Sequence, residues 1–137
     1  MTFIVDASVS LAWCFDDEWT AGAQALLDRA AEEGVIVPTI WPLEMANMLV
    51  MALRRKRIDA SELETAVVLL SRLEIEVEPS APERVFSEIL DLACREGLTS
   101  YDASYLDLAL REGLPLATRD AILAAAAKRA GVEVIGE

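Results

Sequence analysis

The sequence predicts an α/β protein, a three-layer α/β/α sandwich around a mostly parallel sheet of about five strands. Three observations predict it. Short apolar runs alternate with longer helical patterns along the chain. The runs are nearly unbroken, with Val and Ile frequent, as strands covered on both faces require. The helical stretches between them are long enough to return the chain for parallel pairing by right-handed crossovers.

The first strand is expected at residues 3–6, FIVD, and a helical pattern occupies 20–33. A second strand, VIVP, spans 35–38 and precedes helices at 43–57 and 60–72, the latter capped by Asp59 or Ser61 after Ile58. A third strand follows at 73–77, then a helix at 82–96 with Pro82 in its first turn, where a missing N–H is tolerated. A helix at 100–112, a strand at 115–118, a helix at 120–130 and a strand at 132–135 complete the order, with Gly97, Gly113 and Gly131 marking helix ends. Repeats, low-complexity tracts and linkers are absent, and 137 residues suit one domain, 1–137.

Composition restricts the chemistry. The chain has 24 acidic residues, 12 basic ones and no histidine, for a formal net charge of -12. Imidazole is therefore excluded as base, proton shuttle or metal ligand, and carboxylates are the abundant acid/base groups. Cys14 and Cys94 are isolated and make no C-x-x-C unit, so they are expected as small core residues. Asp6 interrupts any signal-like apolar stretch, and no run reaches the roughly 18 residues of a membrane span. A cytoplasmic protein without membrane association is expected.

Four acids stand at comparable places. Asp6 ends the first strand, Glu44 lies at the start of a helix in WPLEMANML, Asp102 lies in the first turn of TSYDASYLDLAL, and Asp120 closes LATRD. Each has a local explanation. Asp6 and Asp120 can cap the helices that follow, Thr99 and Asp102 have capping-box spacing, and Glu44 can answer a helix dipole. Together they mean more, because a parallel sheet turns the helix starts after its strands toward one edge, where ligands bind. Converging carboxylates repel, by about 4 kcal/mol for a pair ~4 Å apart at an effective dielectric near 20. Arg119 is the only adjacent cation in sequence. Hard, all-oxygen ligands of this kind favour Mg²⁺, with Mn²⁺ as a substitute.

VDAS near the start, Pro42, Glu44 and Asn47 as P-x-E-x-x-N, then YDASYLDLA and LATRD, resemble the PIN-domain ribonucleases in order and separation. The resemblance covers the whole chain and is closest to the VapC toxins of bacterial type II toxin–antitoxin modules. It implies a single PIN domain over 1–137 and a toxic, Mg²⁺-dependent endoribonuclease that cuts tRNA or rRNA and so inhibits translation. It implies that Asp6, Glu44, Asp102 and Asp120 form the catalytic and metal-holding quartet, with Asp6 and Asp102 as the direct ligands. Ser8, Thr118 and Asn47 fall at supporting positions, which local hydrogen bonding also explains. Asp107, about 140° around the helix from Asp102, is expected to be solvated or structural and outside the site.

The resemblance also implies partners: a VapB-like antitoxin whose C-terminal segment wraps the toxin and places an Arg among the acids, and a homodimer within a larger toxin–antitoxin assembly. The net acidity suits a basic partner better than it suits RNA. Arg54, Arg55, Lys56 and Arg57 form the one basic cluster, readable as an RNA contact or as a solvated helix end. Trp13, Trp19, Trp41, Met45, Met48 and Met51 can line an antitoxin groove or fill the core. A receiver-like, Mg²⁺-binding phosphoacceptor domain fails on residues, since no Asp follows the third strand and no Lys the fifth. A haloacid-dehalogenase phosphatase would need Asp where Ser8 stands. An inactive PIN-like binding module is the remaining alternative.

Overall fold

The computed structural model describes residues 1–136. Its strands are β1 (Phe3–Val5), β2 (Val35–Pro38), β3 (Ile75–Glu78), β4 (Leu116–Ala117) and β5 (Val134–Ile135). They form one sheet in the order β3-β2-β1-β4-β5, and every pairing is parallel. In register, Ile4 pairs with Ile36 on one side and Leu116 on the other, so β1 is the central strand. The burial agrees: Phe3, Ile4 and Val5 are fully inaccessible, whereas the edge strand IEVE is partly exposed.

The helices are α1 (Ala7–Cys14), α2 (Ala21–Glu33), α3 (Ile40–Arg54), α4 (Ala60–Ser71), α5 (Pro82–Arg84), α6 (Leu90–Glu96), α7 (Ser100–Glu112) and α8 (Ala121–Arg129). Strand order runs one way from β1 to β3 and the other way from β3 to β5. Right-handed crossovers therefore place α1–α4 on one face and α5–α8 on the other. The packing fits, for α1 touches α2, α3 and α4, while α7 lies on β1, β2 and β4 and touches α6 and α8. The strand order reverses between β1 and β4, and their carboxyl ends open the crevice where doubly wound sheets bind ligands.

Local departures from expectation have local causes. Helix α1 was not foreseen, because its five central residues, Val9 to Trp13, are all buried and leave no polar stripe to read. Helix α3 begins at Ile40 rather than 43; Pro42 falls in its first turn, where no intrahelical N–H is needed. The 82–96 stretch is helical throughout but carries a π turn at Val85–Ile89 between α5 and α6. Cys14 is half-buried, and Cys94 is exposed instead of in the core, since α6 buries Leu92 and Ala93 instead.

Asp107 is structural, not solvated. It is buried on α7 and accepts from Arg84 Nε at 2.9 Å and Nη2 at 2.8 Å, and from Arg111 Nε at 3.0 Å. Arg111 Nη2 also donates to Ser80 Oγ at 3.2 Å. One carboxylate thus ties the segment after β3 and the start of the π turn to α7.

Candidate active site

Asp6 follows β1 directly and is the N-cap of α1, with extended backbone and a side chain that accepts from Val9 N–H. The capping explanation therefore holds, but it uses only part of the carboxylate. Oδ1 also accepts from Ser8 Oγ at 2.6 Å, and Oδ2 accepts from Thr118 Oγ1 at 2.5 Å. The two hydroxyls in turn accept from the β4–α8 connection: Ser8 Oγ from Arg119 N–H at 2.8 Å, Thr118 Oγ1 from Asp120 N–H at 3.0 Å. Each hydroxyl gives its proton to Asp6 and takes one from the backbone beside Asp120. The central strand and β4 are laced together at the crevice by this pair.

The other acids reach the same edge from three separate segments. Glu44 is half-buried in α3, and its Oε1 accepts the Tyr105 hydroxyl of α7 at 2.5 Å. Asp102 lies in the first turn of α7, whose cap is Thr99; the Thr99 Oγ1 accepts Asp102 N–H at 3.1 Å. Asp120 is exposed and caps α8, its Oδ1 accepting from Ile122 and Leu123 N–H, both at 2.9 Å. Asn47 is exposed on α3, one turn beyond Glu44.

These acids perturb one another. Burial pushes the Asp6 carboxyl up from its ordinary range; the bonds from Ser8, Thr118 and Val9 oppose that, and the Asp120 charge adds to it. Burial likewise raises Glu44, partly offset by Tyr105 and reinforced by Asp102 and Asp6. Asp102 is raised by burial, then by Asp120 and Asp6, against the Thr99 hydrogen bond. Asp6 is thus within electrostatic reach of Glu44, Asp102 and Asp120.

Among the described residues, no group of three or more Cys, Asp or Glu side chains is already closed tightly enough to hold a metal ion. The donor set nonetheless fits a hard divalent cation. It is all oxygen, it carries excess negative charge, and Mg²⁺ is commonly held by one or two carboxylates with water filling the remaining positions. Asp6, Glu44, Asp102 and Asp120 are the side chains that would hold it.

Sequence reasoning missed two residues around the acids. Tyr105 is nearly inaccessible, and burial together with the Glu44 carboxylate pushes its phenol strongly up, so it is a fixed donor to Glu44. Its signal was present as a buried aromatic one turn beyond Asp102, in a helix that needs a polar partner for the hydroxyl. Ser10 Oγ donates to the Asp6 carbonyl at 2.8 Å and accepts Trp41 Nε1–H at 3.0 Å, joining the starts of α1 and α3. Trp13, Trp41 and Met45 are core residues, whereas Trp19 and Met48 are exposed.

The basic cluster divides. Arg57 is engaged with Asp17 at 2.8 Å and Glu18 at 2.6 Å, and its guanidinium stacks 4.0 Å from the Phe15 ring centroid. Arg54, Arg55 and Lys56 are exposed at the end of α3. Arg119, beside the site, donates to the Glu18 carbonyl at 3.1 Å.

Solved structures share this architecture. The crystal structure of PAE2754 from Pyrobaculum aerophilum superposes with a TM-score of 0.71 at 29% identity, over 98% of this chain and 92% of that one. FitAcB from Neisseria gonorrhoeae superposes with a TM-score of 0.68 at 19% identity, over 98% and 96% respectively, a likeness of fold. No curated protein is significantly similar in sequence. The PIN domain family model matches residues 3–129, nearly the whole chain, and the protein belongs to the PIN-domain family.

Proposed function

We propose that this protein is a divalent-metal-dependent endoribonuclease of the VapC type, the toxin of a type II toxin–antitoxin module. Membership of a family whose members are typically nucleases supports it. So does the sequence resemblance of VDAS, P-x-E-x-x-N, YDASYLDLA and LATRD to VapC toxins. The observation that carries it is the electrostatic reach of Asp6 to the other three acids: Asp120 opposes the charge of the buried Asp6, and Asp6 in turn raises Glu44 and Asp102.

A bound Mg²⁺ supplies a water of lowered pKa and a positive charge for the phosphate. The chain's own residues do the positioning. Ser8 and Thr118 fix both oxygens of Asp6, and Thr99 holds the first turn that presents Asp102. Tyr105 occupies Oε1 of Glu44 and restrains that side chain on α3. Phosphodiester hydrolysis by water, with no part for the 2′-hydroxyl, leaves a 5′-phosphate and a 3′-hydroxyl. The substrate class is folded RNA, tRNA or rRNA, so that cleavage stops translation.

The partner is a VapB-like antitoxin with a basic C-terminal segment, whose Arg would take the place of the cation among the acids. The net charge of -12 favours such a partner. The active species is a homodimer, within a toxin–antitoxin hetero-oligomer when inhibited.

The test is cleavage of total tRNA and rRNA by the purified chain with Mg²⁺, with EDTA, and after Asp6→Asn or Asp102→Asn. Cutting that needs Mg²⁺ and disappears in both variants, with circular dichroism unchanged, supports the reading. Metal-independent cutting, or cutting retained in both variants, overturns it. Folded protein that binds RNA without ever cutting would instead indicate a PIN-like binding module.

A further inference from the structure

Next to the acids lies a pocket of about 210 Å³ that none of the chemistry above uses. It sits at the carboxyl end of β2, between the start of α3, the π turn and the first turn of α7. Ile40, Val85 and Ile89 supply apolar surface, Thr39 and Ser104 supply hydroxyls, and Tyr101 stands at the pocket with 57% of its surface exposed. Its lining includes no Asp, Glu, Lys or Arg.

We propose that this pocket is a nucleobase subsite, which takes one unstacked base of the RNA strand beside the scissile phosphate and stacks it on Tyr101. The inference rests on the ribonuclease reading and extends it to how the substrate is recognised.

Place, size and chemistry support this occupant together. Tyr101 adjoins Asp102 in the chain, and Ile40 precedes Glu44 by one helical turn, so the pocket shares two walls with the acid crevice. A base held here belongs to a nucleotide whose phosphate lies at the acids. The volume falls below the roughly 300–1,000 Å³ of sites for drug-sized ligands, which suits a single planar ring system. A phosphate would need cationic donors that the lining lacks. Ser104 Oγ, whose proton goes to the Tyr101 carbonyl, can accept from a base edge, and the Thr39 hydroxyl can donate or accept. An exposed aromatic beside apolar walls is the platform on which single-stranded bases stack. Such stacking also offsets the weak phosphate attraction expected of a strongly acidic chain.

The test pairs removal of the aromatic ring with removal of the base. An RNA hairpin that the wild type cuts is rebuilt with one abasic ribose at each position flanking the cut. At one flanking position the abasic substitution should lower wild-type kcat/KM about ten-fold or more, the range of one base–aromatic stack. In Tyr101→Ala that penalty should nearly vanish, with Tyr101→Phe restoring it and Mn²⁺ binding equal in all three proteins. Equal abasic penalties in wild type and Tyr101→Ala at every position overturn the inference and leave the ribonuclease reading intact; they are the result expected if the pocket serves a peptide instead. Absence of Mg²⁺-dependent cutting by the wild type overturns the reading itself, and this inference with it.

Discussion

Tyr105 donates its hydroxyl to Glu44 Oε1 at 2.5 Å, joining residues 61 positions apart on helices from opposite faces of the sheet. The bond offsets part of the burial that raises Glu44 and restrains its carboxylate. Tyr105→Phe keeps the ring and frees Glu44. A hydrogen bond to a charged group contributes about 1.5–3 kcal/mol, so cleavage should fall roughly ten- to a hundred-fold. The loss of a pKa-lowering partner should also move the rate–pH profile toward higher pH. Single-turnover rates across pH would check both.

The pH dependence of stability follows from the same acids. Asp6, Glu44 and Asp102 all have carboxyls raised above their ordinary values of 3.8, 4.5 and 3.8. The metal-free native state therefore holds more protons than the unfolded chain in the window just above those values, and stability falls as pH rises through it. Without metal, the melting temperature should rise as pH is lowered from neutral toward about 5, and Mg²⁺ should flatten the slope. Asp6→Asn removes the most buried of these charges and should stabilise the metal-free protein at neutral pH while abolishing cleavage. Thermal melts with and without EDTA would decide.

The Asp107 clamp concerns folding alone. Removing Arg84 leaves Arg111 on the carboxylate, and Arg84→Ala should cost about 1–2 kcal/mol. Removing both arginines strands a buried charge and should cost about 3–5 kcal/mol. The double variant should exceed the sum of the singles in urea denaturation, since each guanidinium covers for the other.

The exposed cations at the end of α3 have their own signature. If Arg54, Arg55 and Lys56 meet RNA phosphates, replacing all three by Ala should lower the log–log salt slope of binding by about 2. Anisotropy with the Asp6→Asn protein measures that slope without cleavage. Arg57→Ala should act differently, lowering the melting temperature by releasing Asp17, Glu18 and the Phe15 ring.

What the sequence made legible follows physical range. The parallel sheet could be read because strands buried on both faces are apolar throughout, as FIV and VIVP are. Asp6, Asp102 and Asp120 could be read as residues of helix starts from their capping patterns, while Glu44 falls one turn into α3 because that helix begins earlier than its sequence suggests. Helix α1 was hidden because its buried centre, Val9 to Trp13, shows no alternation of polar and apolar faces. The Asp107 clamp and the Tyr105–Glu44 bond were hidden because pairings between distant segments depend on how the helices pack, and a single chain does not display that. Cys94 was misplaced because small apolar residues satisfy either side of a helix.

The hydroxyl stitch at Asp6 links the sixth residue to the 118th, a separation of 112 positions. A ribosome making this protein delivers Asp6 112 residues before Thr118. Until then the central strand lacks its β4 neighbour, and the buried carboxylate lacks the proton donor that holds its second oxygen. A chain that has not yet emerged as far as residue 118 therefore cannot hold the Asp6 carboxylate as the folded protein does.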